Sequence, residues 1–237
     1  MSVAEKLTKV AENVPKVYKA GQKSEYDRFW DAFQSYGNRP QYQYAFMEWN
    51  SDYIHPKYKV APKSGHMAQM FCKSKVKKIE KEYFDFSNVP TAAYATNGLY
   101  YTFQFCSELE EIEVDLPGDF LNGTFHGCTK LHTIAKLSVK ETTIFSANPF
   151  FECIALEEIR FEGVIGNILD LHWSTKLSAE SYYSIITALS SSVSGQKFIV
   201  PPTAEATYNA NPPQGDGIPQ TWTELIGTKS NWTIAES

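Results

Sequence analysis

The sequence predicts an α+β fold: a short solenoid of stacked repeats with a strand face, a helix before it and a mixed α/β cap after it. Three observations carry that prediction. The stretches FQFCSELEEI from Phe103, FHGCTKLHTI from Phe125 and FFECIALEEI from Phe150 share one frame, F-x-x-C-x-x-L-x-x-I. The equivalent isoleucines Ile112, Ile134 and Ile159 lie 22 and 25 residues apart. Both flanks of the array carry apolar residues at helical spacing, which a strand array does not use.

The frame is a packing rule. A reaction centre is normally built once, whereas this pattern recurs in register and is indifferent to the residues between its anchors. Within LEEIEV the residues alternate as a short half-buried strand should, with Leu109, Ile112 and Val114 inward and Glu111 and Glu113 outward. Phe103 and Cys106 fill the turn that brings the chain round. The same roles fall to Phe125, Cys128, Leu131 and Ile134, and to Phe150, Cys153, Leu156 and Ile159. One such unit cannot bury its apolar side alone, but stacked neighbours form a continuous column. The spacing falls within the roughly 20–29 residues of a leucine-rich repeat. Degenerate units extend the array over 67–171. Upstream, Met70, Lys73, Val76 and Ile79 take the Phe, Cys, Leu and Ile positions, with Cys72 one residue early. Downstream, Val164, Ile165, Ile168, Leu169 and Leu171 supply apolar residues without the full motif.

Residues 1–36 form the N-terminal helical segment. Leu7, Val10, Val14 and Val17 follow a 3-4-3 spacing, Phe29, Trp30 and Phe33 make a second cluster, and Pro15 kinks or divides the helix. The seam packs on its own chain or, alternatively, self-associates through residues 2–35. Residues 37–66 are a connector and N-terminal cap. Tyr42, Tyr44, Phe46, Trp49, Tyr53 and Tyr58 there, with Tyr36 just before them, either seal an exposed end of the core or line a sugar-binding platform. Residues 172–237 are the C-terminal cap. Leu177, Tyr182, Ile185, Ile186 and Leu189 lie at helical spacing behind Ser178 as N-cap. QKFIVPP is a strand stopped by two prolines. A short helix over 221–226 and a strand over 232–234 close the chain, covering the open apolar end of the array.

The 237 residues are 43% hydrophobic and 14% aromatic, enough to bury a substantial core. A formal charge of −5, from 22 Lys and Arg against 27 Asp and Glu, argues against a nucleic-acid binder, which works by neutralising phosphates. Charges punctuate the first twenty residues, so no secretory signal peptide is visible, and no apolar run reaches the roughly 18 residues of a membrane span. A location in the cytoplasm or on a phage particle is therefore expected over Sec-dependent secretion. None of Cys72, Cys106, Cys128 and Cys153 forms a C-x-x-C pair, and His55, His66, His126, His132 and His172 show no zinc spacing. Three of the thiols hold one repeat position, which a small buried residue explains better than a disulfide or metal. No metal or other cofactor is expected. His126 and His132 fall at exposed variable positions of the frame.

At F-x-x-C-x-x-L-x-x-I the chain resembles the bacterial BspA-type leucine-rich repeats, clearly over Phe103–Phe161 and more weakly over Met67–Leu171. Its flanks, with EYDRFWDAFQ and TWTELIGTKSNWTI, are similar to repeat proteins of bacterial genomes and prophages. The resemblance implies a right-handed solenoid with a strand face, and adhesion or protein recognition at a cell surface. It brings no catalytic residues.

Any recognition is expected on the strand face, at Glu111, Glu113, Thr133, Ala135, Glu158 and Arg160. That strip is mostly acidic and suits a basic or hydroxylated partner. The leading expectation is a non-enzymatic interaction module for an unidentified protein or glycan. The alternatives are a structural or oligomerising subunit of a bacterial surface or phage particle, acting through the N-terminal helix, and a carbohydrate-active enzyme. The last would use Glu110/Glu111 and Glu157/Glu158 as paired carboxylates. Those pairs sit at equivalent places in two repeats, which favours solvated strand ends. No G-x-S-x-G, P-loop or G-x-G-x-x-G is present. Asn122-Gly123-Thr124 and Asn231-Trp232-Thr233 match the short glycosylation acceptor pattern.

Overall fold

The computed structural model describes residues 45–56, 59–61, 67–87 and 99–237. The N-terminal helix expected over residues 2–35, its self-association, and the connector residues Tyr36, Tyr42, Tyr44 and Tyr58 lie outside the described residues. In chain order the elements are β1 (Lys78–Ile79), β2 (Glu111–Asn122), β3 (Thr133–Ser146), β4 (Glu158–Gly163), β5 (Leu169–Asp170), α1 (Ala179–Ala188), β6 (Gln196–Val200), α2 (Ala204–Ala210), α3 (Trp222–Gly227) and β7 (Trp232–Glu236).

The packing starts at a tight turn that recurs around Phe46, Phe71, Phe103, Phe125 and Phe150. In each, the amide three residues on donates to the phenylalanine carbonyl, from Trp49, Ser74, Cys106, Cys128 and Cys153 at 2.8–3.2 Å. Residues in the left-handed region flank the ring two places before and two after. They are Gln69 and Lys73, Tyr101 and Phe105, Gly123 and Gly127, and Asn148 and Glu152, with Glu48 after Phe46. This double reversal throws the ring inward, and the five rings stack at centroid distances of 5.3, 5.2, 5.8 and 5.3 Å. All five are fully buried. The Cys106, Cys128 and Cys153 thiols run beside the column, each donating to the phenylalanine carbonyl one turn back, of Phe71, Phe103 and Phe125.

The upstream frame is shifted from the sequence expectation. Phe71 rather than Met70 enters the ring column, and Ser74 rather than Lys73 takes the thiol position, because the loop before Val76 is one residue shorter. Lys73 is exposed. A further turn follows the array at Leu171, Ser174 and Leu177, with the same amide-to-carbonyl pattern, so leucine and serine stand in for phenylalanine and cysteine.

The strands overturn the expected leucine-rich-repeat solenoid. The architecture is mixed α/β, with few helices and a four-stranded sheet, β1-β2-β3-β4, curled as a half-barrel. Instead of one short strand per repeat, β2 and β3 run for 12 and 14 residues, well past the motif that ends at Ile112 and Ile134. The reason lies in the side chains. Ile112, Val114, Leu116 and Leu121, and Ile134, Leu137, Val139 and Thr143, stay buried along the whole length, so the strand pays off well beyond the motif. Register shifts fall between Ile112 and Asp115, Gly118 and Phe120, and Ile134 and Leu137. Each such irregularity bends the strand and increases its twist, which curls the sheet. Buried Thr143 holds the largest of them, accepting from the Lys140 amide at 2.9 Å and donating to the Gly118 carbonyl. A separate three-stranded sheet, β5-β6-β7, follows, and all pairings between these strands are parallel.

Helix α1 starts at Ser178, whose hydroxyl accepts from the Ser181 amide. α3 opens with a reciprocal capping box between Thr221 and Glu224. Trp222 packs edge-on to Tyr182, and the described apolar interior is one continuous cluster from Phe46 to Trp232. Among the described residues no helix is long and apolar enough to cross a membrane.

Two outcomes follow from the interior. Tyr182 is fully buried and its hydroxyl has no hydrogen-bond partner among the described residues. Tyr182→Phe is therefore expected to stabilise the fold by about 1 kcal/mol in urea unfolding; a loss of stability would show that the hydroxyl is satisfied. The second outcome concerns the thiols of Cys106, Cys128 and Cys153. Burial pushes their pKa well above the ordinary range. A disulfide reagent at pH 8 should leave them unmodified in the native protein and label them only as fast as the chain unfolds.

Candidate recognition groove

Outward side chains of β3 and β4 meet the polar side of α1 along a groove of about 650 Å³. Thr133, Ala135, Glu158 and Arg160 contribute from the strands, and Glu180, Tyr183, Ser184 and Thr187 from the helix. α1 lies against β4 where a fifth strand would pair. Ser181 and Ser184 replace that strand chemically, their hydroxyls accepting from the Ile159 and Phe161 amides at 3.0 and 3.1 Å. The Ser181 hydroxyl also lies 3.1 Å from the Glu157 carbonyl and 3.5 Å from Glu158 Oε2. The wall of the groove is thus fixed to the edge of the sheet.

Of the six residues expected on the strand face, the structure brings Thr133, Ala135, Glu158 and Arg160 to this groove, and places Glu111 and Glu113 outside it. Lys78 bridges those two carboxylates, at 3.0 and 2.7 Å. Hydrogen bonding to Lys78 lowers the pKa of Glu113, and the two carboxylates raise that of Lys78. Lys136 likewise spans Asp115 and Glu162, at 2.7 and 2.8 Å, and holds the Glu162 carboxyl below its ordinary value. The face is therefore a lattice of paired charges. Its acids without an ion pair among the described residues include Glu158 and Glu180, and Arg160 is likewise outside any such pair.

The α1 residues were beyond the reach of the strand pattern. Glu180, Tyr183, Ser184 and Thr187 follow i, i+3, i+4, i+7 spacing, which marks them as the polar side of a helix. Nothing in that spacing tells which neighbour they face.

Elsewhere the chemistry is structural. Phe105, His126, Phe151, Trp173 and His172 form a row across successive turns, with ring centroids 4.6–5.2 Å apart. Each ring packs edge-on or tilted against the next, which ties successive turns together on the outside. His126 and His132 are half-buried rather than exposed. The first sits between Phe105 and Phe151, and Nδ1 of the second lies 3.0 Å from the Thr133 hydroxyl. His172 Nδ1 lies 2.6 Å from Asp170 Oδ1, and Asn148 donates to the other carboxylate oxygen at 3.0 Å. The Glu110 carbonyl accepts from the His132 amide and the Glu157 carbonyl from the Ser178 amide, so both residues brace neighbouring turns. The four cysteines are free and buried, and no group of three or more His, Cys, Asp or Glu side chains among the described residues is placed to hold a metal.

The Lys78 bridge sets a pH dependence. A carboxylate whose pKa is depressed by folding contributes stability above its unfolded pKa and loses it as the pH falls through the folded value. For Glu113 that loss begins near the ordinary value of 4.5 and continues below it. Lys78→Gln should lower stability modestly at pH 7, with the difference from wild type closing as the pH is taken well below 4 in thermal melts. A gap that persists at the acidic end would assign the effect to packing instead.

No family model, curated protein or solved structure matches the chain.

Proposed function

We propose that the protein is a non-enzymatic interaction module that binds a protein or glycan through the outward face of β3 and β4. The observation that supports this is convergence. Side chains from two strands and one helix line a single concavity, and their charges are not consumed by ion pairs among the described residues. Around it the surface charges are already matched by Lys78 and Lys136. A partner gains most where polar groups await a partner and least where it must displace an existing pair.

An enzymatic use of the paired glutamates has less support. Glu111 is tied to Lys78, and of the four paired glutamates Glu158 alone lines the groove. Action through residues 2–35 as an oligomerising segment rests on residues outside the described ones and gains no support here.

The test is to probe peptide and glycan arrays with the full chain and two variants. Glu158→Lys combined with Arg160→Glu is expected to abolish capture of whatever ligand the wild type binds. Glu111→Gln should leave capture intact, since its carboxylate is spoken for outside the groove. Capture that survives the double reversal would remove the strand face as the binding surface.

A further inference from the structure

We infer that the groove between β4 and α1 takes a short neutral oligosaccharide, its hydroxyls held by Glu158, Glu180 and Arg160 and a C–H face laid against Tyr183. This rests on the recognition function proposed above and narrows it to one ligand class.

Size is the first argument. A volume of about 650 Å³ sits inside the roughly 300–1,000 Å³ of small-ligand sites. A stable protein partner needs on the order of 800 Å² of each surface. An area of that size reaches well beyond the groove, and on the strand face beside it the Lys136 charge already has partners.

Charge is the second. Two carboxylates disfavour a phosphorylated or uronic ligand, because like charges brought together in a concavity repel. A lysine-rich peptide would meet Arg160, which also lines the groove. A neutral polyol has no such conflict. Each of its hydroxyls both donates and accepts, so it can give protons to Glu158 and Glu180 and receive them from the five-donor guanidinium of Arg160.

Shape and rigidity are the third. Tyr183 is partly buried, packs against the core and lines the groove, so its ring is an anchored apolar surface with a polar tip. Ser181 and Ser184 tie the helix wall to β4, and Ser181 lies within reach of Glu158. A wall ordered before the ligand arrives lowers the cost of binding.

The experiment is calorimetric titration of the full chain with chitotriose, cellotriose, mannotriose and lactose, beside a trigalacturonate and a hexalysine peptide. At least one neutral saccharide should bind, while the uronate and the peptide do not. Glu158→Gln, Glu180→Gln and Arg160→Gln should each weaken it by about tenfold or more, the loss of a hydrogen bond to a charged group. Tyr183→Leu should do so too, and circular dichroism should show the native fold in all four. The inference is overturned if none of the saccharides binds, if the variants bind as the wild type does, or if hexalysine or the uronate binds instead. Should the array experiment find a protein ligand lost on reversing Glu158 and Arg160 while no saccharide binds, the recognition surface stands and the sugar falls. If the reversal changes nothing in either experiment, both fall together.

Discussion

The turn around each buried phenylalanine is the constraint on which the rest of the structure depends. Placing the ring inward requires residues in the left-handed region two positions either side of it, a conformation that costs an L-residue roughly 1–2 kcal/mol. The chain accepts that cost at Glu48, Gln69, Lys73, Tyr101, Phe105, Asn148 and Glu152. Burying a phenylalanine returns about 1.5–3 kcal/mol, and each stacked pair adds roughly 0.5–1.5. The column can therefore carry the strained turns, though with little excess per turn. Where glycine does appear, at Gly123 and Gly127, space demands it as well as backbone. A Cβ there would lie 2.1 Å from the Tyr101 ring and 2.6 Å from that of Phe105. The strained aromatic of one turn thus closes over the glycine of the next, which couples neighbouring turns on the outside as the ring column does within.

The curl of the sheet follows from the same coupling. Turns stacked in register bring Ile112, Ile134 and Ile159 side by side on β2, β3 and β4. Beyond them the connecting segments differ in length, and the strands stay paired by absorbing the excess in irregularities. β3 accommodates the longest, around Thr143, and resumes pairing at Phe120↔Ile144. A sheet that kept strict register would have to give up either the turn alignment or the buried alternation of Val139 and Leu137. Bending keeps both.

How much of this was legible in the sequence depends on whether information is local. The ring, thiol, Leu and Ile positions of the three clear repeats are a local pattern, and so are the Ser178 cap, the strand ended by Pro201 and Pro202, and the short helix after Thr221. The length of β2 and β3 was not read, although the alternation from Ile112 to Leu116 continues past the motif. Pro117 and Gly118 lie inside β2, and a strand at a bend tolerates both. Phe71 was displaced by one place because Met70 fits the Phe slot equally well, and only a three-dimensional stack separates them. The groove was half legible: strand alternation gives Thr133, Glu158 and Arg160, whereas Glu180 and Tyr183 join them only through the docking of α1.

That docking settles two problems at once. A parallel sheet ending at β4 would leave a row of backbone donors open to pairing with another chain. Continuing the array would only move the same edge one unit further. α1 ends it with side chains instead of backbone: Ser181 and Ser184 fall close to one helical turn apart and reach alternate amides of β4, those of Ile159 and Phe161. The match works because three residues of helix rise about 4.5 Å, while two residues of strand advance about 6.6 Å, a difference that serine side chains can span. A helix, however, is rounder than a strand and cannot lie flush with a flat, outward-facing row of side chains. The space left between its polar side and the face of β3 and β4 is the groove, so the device that closes the sheet also creates the concavity in which Glu158, Arg160 and Glu180 meet.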